Sequence, residues 1–203
     1  MPDAGRVIAG TARGVRLAAP GPGTRPLADR VKQTLFGILA PDLAGAAVLD
    51  LFAGSGAGGI EALSRGAASA VFVERDHGAI RVIGENLRRA ALEPGAKVIR
   101  REVGAWLAEA ARDAAVTGPP YDIVLIDPPY ADTVALGRVL ERVGPIVREG
   151  GIVVAKHFWR DTPPPLIGLL ASDRQRRFGE TALTFYRRTG TAGDTRHEEA
   201  GEA

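Results

Sequence analysis

Residues 121–132 read YDIVLIDPPYAD, an apolar run that ends on an aspartate, two prolines and a tyrosine. Proline donates no hydrogen bond to a sheet ladder, so Pro128 and Pro129 end the strand and stiffen the backbone beyond it. At such a tip the Asp127 carboxylate and the Pro128 carbonyl can each accept one N–H of an exocyclic amine. That draws the nitrogen toward tetrahedral geometry, frees its ring-delocalised lone pair and aims it at an electrophile. Pro129 holds the carbonyl in place, and Tyr130 offers a flat face on which an extruded base can stack. These four residues suit substitution on an amine and require no metal and no covalent intermediate.

The electrophile's site is written in VLDLFAGSGAGGIEALSRGA, where Gly54, Gly56 and Gly59 follow a strand and open a helix in G-x-G-x-x-G spacing. Glycines allow the turn and a close ligand approach, and the helix start supplies unpaired N–H donors. Phe52 and Ala53 belong to the same loop. Glu74, next to Arg75, ends the following strand, where an acid accepts from ribose hydroxyls. The spacing alone suits a dinucleotide as well as S-adenosylmethionine. Asp50 tilts the choice, because its carboxylate would repel a pyrophosphate but attract the cationic methionine end of S-adenosylmethionine. The Asp-Pro-Pro-Tyr loop tilts it the same way, since hydride transfer does not need it. Farther on, Glu102 with the Val103 N–H is placed to meet an adenine amine, and a surface ion pair with Arg100 or Arg101 is an equal reading of that glutamate.

The elements that must position these residues are legible as alternation. Apolar runs at 47–51, 70–74, 96–100, 122–127 and 151–157 read as strands, and amphipathic stretches near 58–65, 77–91, 103–115 and 133–147 read as helices. Near-continuous apolar strands alternating with helices predict a parallel sheet covered on both faces. Residues 173–179 and 181–188 predict a closing antiparallel hairpin. Before residue 46, residues 5–17 read as a small β element and 27–39 as a helix with Asp29 near its start. The expected organisation is an N-terminal β element and helix over 1–40, which the charge pattern below makes a candidate RNA-contacting element, a catalytic domain over 41–188 and a disordered tail over 189–203.

The 203 residues contain no cysteine, which excludes disulfides and thiol chemistry. The segment MPDAGRVIAG lacks the apolar core of a signal peptide and no run is long enough to span a bilayer, so a cytoplasmic protein without membrane contact is expected. Net charge is +2, but residues 1–40 carry six Lys/Arg against two acids and residues 151–188 seven against three. Basic ends around a mildly acidic middle suit an anionic partner. Arg6, Arg13, Arg16, Arg25, Arg30 and Lys32 are the candidate RNA contacts at the first end, and the arginines of the closing hairpin lie at the other.

RVIAGTARGVRL, TRPLADRVKQTLFGIL, the glycine block, VFVE, DPPY and FGETALTFYRR together resemble the bacterial RsmD family, over nearly the whole chain to about residue 188. That family methylates guanine N2 in 16S ribosomal RNA. The resemblance implies a Rossmann-like class I S-adenosylmethionine-dependent methyltransferase fold: a mostly parallel seven-stranded sheet with an antiparallel C-terminal hairpin and a small N-terminal extension. It implies S-adenosylmethionine as donor, guanine 966 of the small-subunit RNA as target, and a monomer acting on an assembling or assembled subunit. The roles given to Asp50, Gly54, Gly56, Glu74 and Asp127–Tyr130 follow the same pattern. Methylation of another RNA or DNA base amine, adenine N6 or cytosine N4, is the alternative. The chain departs from the family at Leu27, Gln33 and Glu102, and at Lys156, where relatives more often place an acid.

Overall fold

The computed structural model describes residues 3–21, 28–118, 120–129 and 133–190. Arg25 and Tyr130, both singled out above, lie outside the described residues, as does the expected tail from residue 191 onward. A short antiparallel pair, β1 (Asp3–Arg6) and β2 (Arg16–Ala18), precedes helix α1 (Asp29–Leu43). Then follow β3 (Ala47–Leu51), α2 (Ala57–Ser64), β4 (Ser69–Glu74), α3 (His77–Ala90), β5 (Ala96–Arg100), α4 (Val103–Ala110), α5 (Ala114–Thr117), β6 (Tyr121–Ile126) and α6 (Thr133–Val143). The chain closes with β7 (Val147–Phe158), β8 (Leu166–Ile167), β9 (Leu170–Phe178) and β10 (Thr181–Arg188).

The large sheet runs β5-β4-β3-β6-β7-β10-β9-β8. Strands β3 to β7 are parallel, and β10 enters antiparallel between β7 and β9. Where the sequence predicts seven strands the sheet has eight; the addition is the two-residue β8 at the edge, too short to carry a periodic signal. The order reverses at β3, whose neighbours are β4 and β6. A crevice therefore opens at the carboxyl ends of β3 and β6, the switch point of such a sheet.

Side-chain alternation divides the sheet into two apolar layers. Val48, Phe72, Ile123, Leu125 and Val154 pack with α1, α2 and α3, while Leu49, Val73, Val124, Ile126 and Ala155 pack with α4 and α6. Helix α1 buries Val31, Leu35, Phe36 and Leu39 on one stripe, each apolar side chain worth about 1.5–3 kcal/mol of transfer free energy.

The N-terminal element is not separate from this core. Ala4, Val7 and Leu17 share a layer with Leu35, Val48 and Leu183, and the expected boundary at residue 40 falls inside α1. The buried Glu61 carboxylate accepts from Ile8 N (2.8 Å) and Ala9 N (3.1 Å) and pairs with Arg65, clamping the β1–β2 loop onto α2. Gly10 makes the approach possible: at φ +89° its missing Cβ would lie 1.7 Å from the Ser64 carbonyl oxygen.

Candidate active site

Parity along the strands assembles the site. Asp50 alternates with Leu49 and Leu51, Glu74 with Val73, Asp127 with Ile126 and Lys156 with Ala155, so all four point toward the α1–α3 layer. They line one cavity of about 580 Å³ together with Phe52, Ala53, Gly54, Arg75, Val103, Pro128 and Pro129.

The donor half is built from backbone and carboxylates. After β3 the chain turns through Phe52 at φ 59°, a left-handed conformation uncommon for a bulky residue, then Gly54 at φ 56° and Gly56 at φ 76°. Gly56 caps α2, and Gly59 lets the helix lie against β4, since a Cβ there would sit 2.4 Å from the Phe72 ring. Asp50 Oδ2 accepts from Gly59 N at 2.8 Å in the first turn of α2. Burial pushes the Asp50 carboxyl up to about 7, the Gly59 N–H opposes this, and the Asp127 and Glu74 charges add to it. Glu74 Oε2 accepts from Gly54 N at 3.0 Å, and its Oε1 accepts from Arg75 N and Asp76 N at 2.7 and 2.9 Å. The Arg75 backbone thus orients the carboxylate.

Glu102 has a structural task. As N-cap of α4 its two oxygens accept from Gly104 N at 2.9 Å and Ala105 N at 2.7 Å. Glu102 and Val103, the N-cap and first residue of α4, both line the cavity.

At the opposite wall, Asp127 N donates to Leu51 O at 3.3 Å, tying the tip of β6 to the tip of β3. The Asp127 side chain is 30% exposed and is gripped by Lys156, whose Nζ lies 2.7 Å from Oδ1 and 2.9 Å from Oδ2. Burial raises the Asp127 carboxyl above its usual range and the Lys156 ammonium works against that shift. Sequence reasoning noted Lys156 only as a departure; a lone cation in the apolar run GGIVVAKHF, one register step beyond the Ile126–Ala155 pair, was the available signal. Asn86 was also missed. Its Oδ1 accepts from Ala18 N at 2.8 Å and its Nδ2 donates to Ala18 O and Ser55 O, both at 2.9 Å, so β2 and the glycine loop share one side chain. His157 faces the other layer, with Nε2 2.8 Å from Thr184 Oγ1, and belongs to packing.

Of the N-terminal cations, Arg13 and Arg30 are exposed, Arg6 is paired with Asp29 at 3.1 Å and Arg16 with Asp3 at 3.1 Å. Lys32 requires a correction: its side chain is fully buried, donating to the Arg6 carbonyl and lying 3.8 Å from Asp29 Oδ1. An ammonium enclosed in this way cannot meet a phosphate; it secures β1 to α1.

The sequence model described as Conserved hypothetical protein 95 matches residues 5–187. The chain belongs to this family. It is the RsmD family that the sequence blocks resemble. The family member YlbH of Bacillus subtilis is 36% identical over 189 residues, covering 91% of this chain and 100% of YlbH. Ribosomal RNA small subunit methyltransferase D of Escherichia coli is 44% identical over 127 residues, 62% of this chain and 60% of that protein. Among solved structures, yhhF of Escherichia coli superposes with a TM-score of 0.77 at 31% identity, covering 91% of this chain and 97% of that one. The Thermus thermophilus protein TTHA0928 gives 0.75 at 37% identity, covering 89% and 97%. The Rossmann-like methyltransferase fold expected for the family is the fold observed, with the C-terminal hairpin in place.

The cavity's chemistry fits S-adenosylmethionine as a donor. Asp50, Glu74, Asp76, Glu102 and Asp127 outnumber Arg75 and Lys156 along its lining, which suits a cationic ligand and opposes a diphosphate. Phe52, Ala53 and Val103 supply an apolar wall for a flat base. No helix among the described residues is long and apolar enough to cross a membrane.

Proposed function

We propose that this protein transfers a methyl group from S-adenosylmethionine to the exocyclic N2 amine of a guanine in 16S ribosomal RNA, with guanine 966 as the family target. The observation that carries the reading is that the anionic glycine-loop wall and the Asp127–Pro128 tip open into one cavity. When bound, S-adenosylmethionine supplies an electrophilic methyl on a positively charged sulfur. Asp50 attracts its cationic end, Glu74 accepts from ribose hydroxyls, and Phe52, Ala53 and Val103 flank the adenine. Gly54 and Gly56 let the backbone approach. Asp127 and the Pro128 carbonyl each accept one N–H of the guanine amine, which localises the lone pair on nitrogen. Pro129 stiffens that wall and Tyr130 stacks on the base. The relatives named as small subunit ribosomal RNA methyltransferases support ribosomal RNA as the substrate class.

The RNA grip has two parts. Arg6, Arg13, Arg16 and Arg30 of the N-terminal element meet phosphates, joined by Arg25 on the strength of the sequence alone. Strand register also brings Arg177 to the end of β7, where its guanidinium lies 3.7 Å from the Trp159 ring centroid, with Arg160 4.9 Å from it. Arginine on an aromatic plane suits single-stranded RNA. Ribosomal RNA as substrate makes the protein a cytoplasmic one, and a self-contained cavity suits a monomer.

The test is methyl transfer from labelled S-adenosylmethionine to 16S RNA, naked and in small subunits from cells lacking the modification, followed by nucleoside analysis. N2-methylguanosine is expected. N6-methyladenosine or N4-methylcytidine would replace the guanine reading, and no transfer to either substrate would overturn the function. Asp127→Ala should nearly abolish turnover with donor affinity within a few-fold.

A further inference from the structure

Acids outnumber cations along the cavity's lining, which suits the donor but repels a phosphodiester. A base extruded into the cavity with its amine at Asp127 brings its sugar and flanking phosphates to the mouth. The charge that meets those phosphates has to stand just outside the lining. Strand register supplies it. Lys156 of β7 lies opposite Leu183 of β10, and Leu183 lies opposite Arg176 of β9. Directly opposed residues share a face of the sheet, so these three side chains form one row. Lys156 and Leu183 line the cavity, and the exposed Arg176 is the row's next member outward. Two strand spacings put its backbone about 10 Å from that of Lys156.

The neighbours on β9 fix the side. Phe178, with the parity of Arg176, packs partly buried against the α1–α3 layer, and Arg174 lies opposite Phe185 of that same layer. Arg177 has the other parity and reaches Trp159 instead. Arg176 Nη1 donates to the Gln175 carbonyl at 3.0 Å, and among the described residues no carboxylate pairs with its guanidinium. Arg187 on the adjacent β10, by contrast, is held by Asp42 at 3.6 Å and Asp173 at 3.9 Å. The remaining donors of Arg176 form a planar fork that matches phosphate oxygens. We propose that Arg176 is a substrate-binding residue, its guanidinium holding a phosphate that flanks the target nucleotide while Asp127 accepts from the base amine. This rests on the base-amine methylation proposed above.

The test uses 16S RNA ligated from synthetic pieces, naked or reconstituted into small subunits according to which form the wild type methylates. In one RNA the phosphates on either side of the methylated nucleotide are natural, and in the other they are uncharged methylphosphonates. Arg176→Ala should lower kcat/KM about tenfold or more on the natural RNA and about twofold or less on the methylphosphonate RNA. Arg176→Lys, which keeps the charge without the fork, should recover part of the loss. Arg177→Ala, on the opposite face, should lose the same factor on both RNAs. Donor affinity by calorimetry and the thermal midpoint of Arg176→Ala should remain near wild type. Equal losses for Arg176→Ala on the two RNAs, or no loss on the natural one, would overturn the proposal, as would equal relief in Arg177→Ala. A wild-type enzyme inactive on both naked RNA and subunits would instead remove the methylation reading itself.

Discussion

Asp50 offers a quantitative test of the donor site. Its carboxyl is buried and pushed up to about 7, so near neutrality it is divided between protonated and ionised forms. A cationic donor favours the ionised form and therefore lowers the carboxyl's pKa on binding; binding releases a proton, and affinity must fall as the pH drops below 7. If the bound carboxyl titrates well below 6, the ionised fraction sets the effect. Affinity should then be about eightfold weaker at pH 6 than at pH 7.5, roughly 1.2 kcal/mol, with about 0.8 proton released per donor bound at pH 6.5. Calorimetry in buffers of different ionisation enthalpy measures both quantities. Asp50→Asn should bind more weakly and with a flat profile across this window, which also subtracts any titration of the donor. A flat wild-type profile, or the same slope in the asparagine variant, would refute the assignment of Asp50 to the cationic end.

Lys32→Met removes the buried hydrogen bond to the Arg6 carbonyl and should lower stability by about 1–3 kcal/mol in denaturant unfolding without altering the salt dependence of RNA binding. Arg13→Ala with Arg16→Ala should do the reverse, leaving donor affinity unchanged while reducing the log–log salt slope by about 0.7 for each phosphate no longer neutralised; an unchanged slope would take the N-terminal element out of the RNA interface. Gly59→Ala places a methyl 2.4 Å from the Phe72 ring and must push α2 from β4, at a cost of about 1–3 kcal/mol and with weaker donor binding. A variant with an unshifted midpoint would mean that the close approach is dispensable.

The strands of the sheet were legible because they are apolar runs of the right length: 47–51 and 96–100 are the observed β3 and β5, and the other runs differ from their strands mainly at the ends. The donor loop was legible because its glycines answer to backbone geometry rather than to distant neighbours. Two cations were harder to read, because position along the element places their side chains inside. Lys32 stands three, four and seven residues before Leu35, Phe36 and Leu39, on the buried stripe of α1. Lys156 has the parity of Val154 and so faces the crevice. Glu102 precedes a helix and caps it while also lining the cavity. Asn86 gave no local signal, because its partners are main-chain groups 31 to 68 residues away, and the local Glu61–Arg65 pair hid the main-chain groups 52 to 53 residues away that Glu61 also holds.

The single amide of Asn86 that spans Ala18 and Ser55 makes the hairpin and the glycine turn mechanical neighbours despite their distance in sequence. Loss of that amide would loosen the hairpin and the Ser55 peptide group together.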